Sequence, residues 1–383
     1  MTRALAVIDG EHYASVIRDA LAALPYEFVG ALLIGGTEKL RGGEDYGVPL
    51  VDSLDAVDAD FVVDLSDEPV LPPAERFRLA SRALVLGLPY VGADFRFEPP
   101  RLDPFELPSL SIIGTGKRVG KTAVAGHIAR LLARDRKVVV VAMGRGGPRA
   151  PELIETQPTT DELLALSRSG RHAASDHLET AAVAGVTTIG CRRAGGGFAG
   201  AVVDSNVAAG AELARSLDPG VVVFDGSGAA IPPIATSARI LVTTPAHDLE
   251  VYLNPYRVAI SDLIVGIGDV RRADVCVDLR LRALQPLRGR RTAVFTAGPA
   301  PVEHLDADIV HVSRNLANRS ALRAELPRVD ADVYLVELKA AAIDVVAEEA
   351  NARRAELVLA ANDVVGDGLD DAVLALLPQA VPA

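Results

Sequence analysis

The chain has no tryptophan, and only two methionines and two cysteines among its 383 residues; aromatic side chains make up 4% of it. Two lone cysteines, Cys191 and Cys276, supply neither a disulfide framework nor a metal cluster, so a reducing cytoplasm is the simpler setting. No uninterrupted apolar run reaches membrane-spanning length, and Met1-Thr2-Arg3 leads straight into a strand-like run at residues 4–9 without an apolar signal segment. A soluble cytoplasmic protein is expected. Positive charge is also in short supply: 39 lysines and arginines face 51 acids, giving a formal charge of -12. That balance opposes a general nucleic-acid or acidic-membrane surface, while a local arginine cluster can still take a small anion. What the chain has in quantity is hydrophobic residues at 49%, 33 glycines and 24 prolines, the composition of a turn-rich α/β protein. Its length corresponds to roughly two or three domain units.

Residues 1–108 carry their own rhythm. Short apolar runs at 4–8, 28–34, 61–63 and 83–88 read as strands, with helical stretches at 13–24 and 73–84. A small Rossmann-like α/β domain fits. The proline-rich passage 97–108 separates it from the rest of the chain, because proline fixes φ and removes a backbone donor. From 109 onward strand candidates recur at 110–113, 137–142, 187–189, 221–224, 240–243, 263–267 and 292–295, which predicts a mainly parallel sheet covered on both faces. A further α/β segment occupies 309–312, 321–326, 333–336 and 340–354. The expected division is an N-terminal α/β domain at 1–108, a nucleotide-binding core at 109–300 and a C-terminal segment at 301–383, either separate or continuous with the core. An apolar stripe at 340–350 has two possible uses, an interface with a second copy or burial against its own sheet.

Between a hydrophobic run and a helical stretch stands Ile112-Ile113-Gly114-Thr115-Gly116-Lys117-Arg118-Val119-Gly120-Lys121-Thr122. Glycines permit tight curvature and close approach of a phosphate, while successive N–H groups and the following helix terminus supply partial positive charge. Lys121 can reach terminal phosphates, and the Thr122 hydroxyl can bind a magnesium ion that bridges them. The usual loop has glycine five residues before the glycine that precedes lysine. Here Thr115 holds that place and Gly114 lies one step earlier, so the loop is a longer variant. The fold expected around it is a P-loop NTPase core, with nucleotide contacts at Gly114, Thr115, Gly116, Lys117, Arg118, Val119, Gly120, Lys121 and Thr122.

Other stretches supply charge for phosphates and metal. Val221-Val222-Val223-Phe224-Asp225-Gly226-Ser227-Gly228 reads as a strand ending in a carboxylate beside flexible backbone, which makes Asp225 a candidate magnesium ligand; Glu152 and Asp204 are weaker alternatives. Arg145 and Arg149, in Met143-Gly144-Arg145-Gly146-Gly147-Pro148-Arg149, could form a fork for a phosphorylated acid. Cys191-Arg192-Arg193-Ala194-Gly195-Gly196-Gly197 reads as an anion-neutralising loop, although adjacent side chains diverge in regular structure, so Arg192 and Arg193 need not face one ligand. Ser175 is placed to cap a helix that carries Asp176 and Glu179 on one side, with His177 between them.

Taken together these stretches resemble the cyclic 2,3-diphosphoglycerate synthetase family. The landmarks are Asp9-Gly10-Glu11-His12-Tyr13, Gly35-Gly36-Thr37-Glu38-Lys39, the 114–122 loop, Gly144-Arg145-Gly146-Gly147-Pro148, Ser175-Asp176-His177, Arg193-Ala194-Gly195-Gly196-Gly197 and Glu337-Leu338-Lys339-Ala340-Ala341-Ala342. The loop is also similar to that of dethiobiotin synthetase, whose later glycine-rich element resembles residues 225–228 but usually has glutamate where Asp225 stands. The first resemblance implies ATP- and magnesium-dependent closure of 2,3-bisphosphoglycerate into its cyclic phosphoanhydride, with release of ADP and phosphate. On that implication Lys117, Lys121, Arg145, Arg192 and Arg193 handle phosphates, and Thr122, Asp225 and Glu152 are the metal candidates. His12, Tyr13 and Lys39 would stand near a substrate mouth, whereas His247, Asn315 and Lys339 lie in matching segments without a role. The residues alone leave two other readings: ATP-dependent activation of another phosphorylated or carboxylate metabolite, and a nucleotide-controlled interaction protein. The arginine-rich and glycine-rich loops favour an enzyme, since they supply more anion-binding groups than a nucleotide switch needs.

Overall fold

The computed structural model describes residues 1–169, 176–298, 301–338 and 343–378. Ser175 and the stretch 339–342 lie outside them. Two compact units emerge: Met1–Arg101 with Gly196–Ala201 and Asp248–Ser261, and Leu102–Gly195 with Val202–His247 and Asp262–Ala383.

The first unit opens with β1 (Arg3–Ile8), α1 (Ala14–Ala23), β2 (Glu27–Leu33), β3 (Leu50–Val51), β4 (Phe61–Asp64), α2 (Pro73–Val85), β5 (Tyr90–Val91) and β6 (Arg96–Phe97). Its sheet runs β3-β2-β1-β4-β5-β6 and is parallel except at the last pair. Ala4, Leu5, Ala6, Val7 and Ile8 are fully buried, as expected of a central strand covered on both faces. The apolar run at 83–88 is not a strand. Ala83, Leu84 and Val85 complete α2, where Ala80, Ala83 and Leu84 form its buried face, and the next strand begins only at Tyr90. A helix that ends in apolar residues and a short strand have the same local composition, and here the three-to-four-residue period of α2 decides. Asp64, at the end of β4, anchors this unit: it accepts from Arg76 Nε at 2.8 Å, the buried Tyr90 hydroxyl at 2.7 Å and the Ser66 backbone N–H at 2.9 Å.

The second unit continues with β7 (Ser109–Gly114), α3 (Lys121–Leu132), β8 (Val138–Gly144), β9 (Glu152–Ile154), α4 (Thr160–Arg168), α5 (Asp176–Ala184), β10 (Thr187–Ala194), β11 (Asp204–Ser205), α6 (Val207–Ser216), β12 (Val221–Asp225) and β13 (Ala238–Thr243). After α7 (Asn254–Ala259), which belongs to the first unit, come β14 (Leu263–Ile267), β15 (Val275–Ala283), β16 (Arg291–Phe295), β17 (Asp308–Ser313), α8 (Arg319–Glu325), β18 (Val333–Glu337), α9 (Ile343–Arg353), β19 (Glu356–Val365) and α10 (Leu369–Ala375). One sheet runs β11-β10-β8-β12-β7-β13-β14-β15-β19-β18-β16-β17, with β9 paired to β10. Side-chain alternation explains its two covers. Val138, Val140, Val221 and Val223 join Ile128 and Leu132 of α3, while Val139, Val141, Val222 and Phe224 join Val207 and Ala211 of α6.

Strands β10 to β15 of this path are mutually parallel, and so are β16 to β19. The two sets meet at an antiparallel junction, with Asp278 of β15 opposite Val365 and Ala283 opposite Ala360 of β19. The carboxyl ends of β16 and β18 therefore face the opposite way from that of β7. The apolar stripe of α9 is used inside the chain: Ile343, Val345, Val346 and Ala350 share a core with Tyr334 and Val336.

Candidate active site

The sheet order brings β7, β8, β12 and β13 side by side, so their carboxyl ends share one edge. β7 ends at Gly114 and α3 begins at Lys121. The connecting loop is fastened on its first half by Thr115, whose N–H donates to Val242 O at 3.2 Å and whose hydroxyl lies 3.0 Å from that of Thr243. On its second half it turns through left-handed backbone at Arg118 (φ 61) and Gly120 (φ 84). No side chain caps α3 at Gly120, which leaves its first N–H groups for a ligand.

Lys121 is buried and folds back: its ammonium donates to Asp225 Oδ1 at 3.1 Å and to Gly226 O. Asp225 is the last residue of β12, only 1% exposed, and in register with Ile112 of β7 and Ala142 of β8. Beyond it the backbone closes on the loop, since a methyl group on Gly114 would stand 3.0 Å from Gly228 O. Gly228 itself has φ +60, and a methyl there would meet Arg145 Nη2 at 2.6 Å and Arg193 Nη2 at 3.7 Å. Arg193 is tied down by donation to Ser227 O at 2.9 Å and to Gly195 O. Burial and the neighbouring Arg145 guanidinium both pull the Arg193 pKa down, against the Asp176 carboxylate. Two guanidiniums that repel one another beside a phosphate loop form a site that gains from an arriving anion.

The structure thus brings Lys121, Asp225, Arg145 and Arg193 to the edge occupied by the 114–122 loop. Arg192 and Arg193 are not in a loop; both lie near the end of β10, where period two sends their side chains to opposite faces. Arg192 is held by its backbone, its N–H donating to Asn206 Oδ1 at 2.7 Å. Lys117 and Arg149 are exposed. Glu152, on β9, stands with its carboxylate 3.5 Å from the buried His177 Nε2, and that ring packs against Gly190. Asp176 reaches Gly144, with a carboxylate oxygen 3.4 Å from where a methyl there would sit.

Within the first unit, His12, Tyr13 and Lys39 do gather. His12 Nδ1 lies 2.8 Å from Asp9 Oδ1, and the Lys39 ammonium stands 5.7 Å from the Tyr13 ring centroid while pairing with Glu38. Asn315 is bound to Glu325 at 2.8 Å near the end of β17, at strand ends that face away from the phosphate loop. Sequence reasoning gives no role to two contacts of the loop. Thr243 supports Thr115, and the His247 ring presses on Gly116. Both follow from β13 lying beside β7, a pairing that no spacing in the chain announces.

Comparison with known proteins adds three matched segments. Residues 3–98 match the family model "Cyclic 2,3-diphosphoglycerate synthetase, N-terminal domain", residues 109–275 its P-loop domain and residues 287–363 its C-terminal domain. Among curated proteins, the cyclic 2,3-diphosphoglycerate synthetase of Rubrobacter xylanophilus is 46% identical, over 98% of this chain and 97% of that protein. Those of Thermococcus kodakarensis and Pyrococcus horikoshii are 43% and 39% identical, covering 95% and 90% of this chain and 95% and 89% of their own lengths. No helix among the described residues is long and apolar enough to cross a membrane.

Proposed function

Because the chain belongs to the cyclic 2,3-diphosphoglycerate synthetase family, we propose that it is an ATP-dependent ligase that closes 2,3-bisphosphoglycerate into cyclic 2,3-diphosphoglycerate. The observation that carries this reading is the meeting of Arg145 and Arg193 at Gly228, whose carbonyl in turn stands over Gly114 of the phosphate loop. A donor cradle and an acceptor cradle share one edge of one sheet.

The chemistry balances in two displacements. An oxygen of the first substrate phosphate attacks the terminal phosphorus of ATP, and ADP leaves. An oxygen of the second phosphate then attacks the activated phosphorus of the first, the ring P–O–P bond forms, and inorganic phosphate leaves with an oxygen the first phosphate supplied. A phosphate oxygen is already nucleophilic, so the chain's task is positioning and charge neutralisation. Lys121 turns from Asp225 and Gly226 toward the terminal phosphates, and the loop N–H groups hold the rest of the triphosphate. Arg145 and Arg193 bring the two acid phosphates together against their mutual repulsion, with the exposed Lys117 at the rim.

Magnesium fits the residues present. The ion takes one or two protein oxygens and completes its shell with phosphates and waters, and Thr122 on the first turn of α3 with Asp225 on the neighbouring strand end would provide them. When bound, it would withdraw charge from the bridging phosphate oxygens. Glu152 is engaged with His177.

The test is to incubate the purified chain with ATP, magnesium and 2,3-bisphosphoglycerate and follow products by mass. A product lighter than the acid by one water, with ADP and phosphate, is expected; Arg193→Ala should raise the KM for the acid about tenfold or more, the scale of a lost charge-assisted hydrogen bond, with ATP affinity held. Absence of that product from an ATP-binding protein would overturn the reading.

A further inference from the structure

Gly116 is a loop glycine whose place is set by a ring. Its backbone is not left-handed, yet a methyl group on it would stand 2.3 Å from His247 Cε1, 3.0 Å from Nδ1 and 3.2 Å from Nε2. With Cε1 foremost and a nitrogen on either side, the imidazole meets the loop by its polar edge.

The fold fixes this ring from its own strand. β13 pairs with β7 from Ala238 to Val242, and the tight turn after it is closed by the His247 N–H donating to Thr244 O at 3.0 Å. The same strand end carries Thr243, which holds Thr115. Thr115 is therefore held by a hydroxyl at the end of β13, and Gly116 next to it is faced by an imidazole from the turn that follows that strand. Among the described residues neither ring nitrogen of His247 has a hydrogen-bond partner, and the residue is only partly covered. An imidazole carries at least one ring N–H, and here it is left for solvent or for whatever the loop holds.

We propose that His247 is a nucleotide-contact residue, donating from its imidazole to the terminal phosphate of the ATP held by the 114–122 loop. A contact to that phosphate alone separates ATP from ADP, so it would both favour loading with the triphosphate and release the spent nucleotide. Glycine at 116 is required because any side chain would push the ring off the loop. The inference rests on the loop binding ATP, and it does not depend on which acid is cyclised.

The experiment is titration of the full-length protein with ATP and with ADP, each with magnesium and without any acid. His247→Phe keeps a flat ring and removes both nitrogens, and it should weaken ATP about tenfold or more while leaving ADP unchanged. His247→Gln, which keeps an amide donor, should recover a good part of the ATP preference. Equal losses for both nucleotides, or no loss for either, would overturn the proposal and make the ring a packing element. An ATP preference that is lost in His247→Phe, in a protein that makes no cyclic product, would refute the proposed reaction and leave this inference standing.

Discussion

Asp9 sets the character of the first unit through one carboxylate. It is fully buried, which works against its charge, yet the N–H groups of Asp67 and Glu11 and the ring of His12 outweigh that and hold its pKa below the ordinary aspartate value. A group whose pKa is depressed on folding adds stability above its unfolded pKa, and that stability is lost as pH falls through the folded value. Asp9→Asn should therefore lower the urea midpoint of the full chain at neutral pH, a fall that corresponds to roughly 1.5–3 kcal/mol of unfolding free energy for hydrogen bonds to a charged group. The gap from wild type should begin to narrow below the ordinary aspartate value, about pH 4, and close only as the pH passes below the lowered value in the folded chain. A gap that stays constant from neutral to acid pH would show that Asp9 acts by shape alone. At this scale the sequence is readable where chemistry is local. Gly114, Lys121 and Asp225 declare themselves by type and flank, and the buried Lys121–Asp225 pair at 3.1 Å fits their shared edge. His247 is not readable, because its meaning lies in a ring edge turned toward Gly116.

At the scale of elements, the 144–149 turn and β10 form one device. A methyl on Gly147 would stand 2.0 Å from Cys191 O and 3.1 Å from Arg192 Cα, so the turn that carries Arg145 rests on the backbone that carries Arg193. Gly147→Ala must push the two apart. It should cut product formation at limiting acid by about tenfold or more, on the scale of a misplaced binding group, while leaving ATP affinity near wild type. Unchanged KM for the acid would separate the two arginines functionally. Strands with continuous valine runs, such as 138–141 in β8 and 221–223 in β12, are legible because burial on both faces leaves those positions apolar. β15 and β19 do not declare themselves. In β15 the buried Val277 and Leu281 stand between exposed residues, and such strands join by long-range pairing that composition does not encode.

The larger sheet joins two parallel sets, the path from β10 to β15 and the strands β16 to β19, edge to edge across an antiparallel seam. A change of rhythm near residue 300 is visible in the sequence, but the seam is not, since residues 278–283 pair with 360–365. The same topology turns Asn315 and Glu337 away from the edge that carries the 114–122 loop, Arg145 and Arg193. The proposed reaction therefore requires phosphoryl transfer from ATP to one acid phosphate before ring closure. The most direct measurement uses 2,3-bisphosphoglycerate with heavy oxygen in its phosphates, in ordinary water. The inorganic phosphate released with the cyclic product should carry a heavy oxygen taken from the acid. Released phosphate whose new oxygen comes only from water would contradict that transfer, since ATP would then be hydrolysed without ever reaching the acceptor cradle.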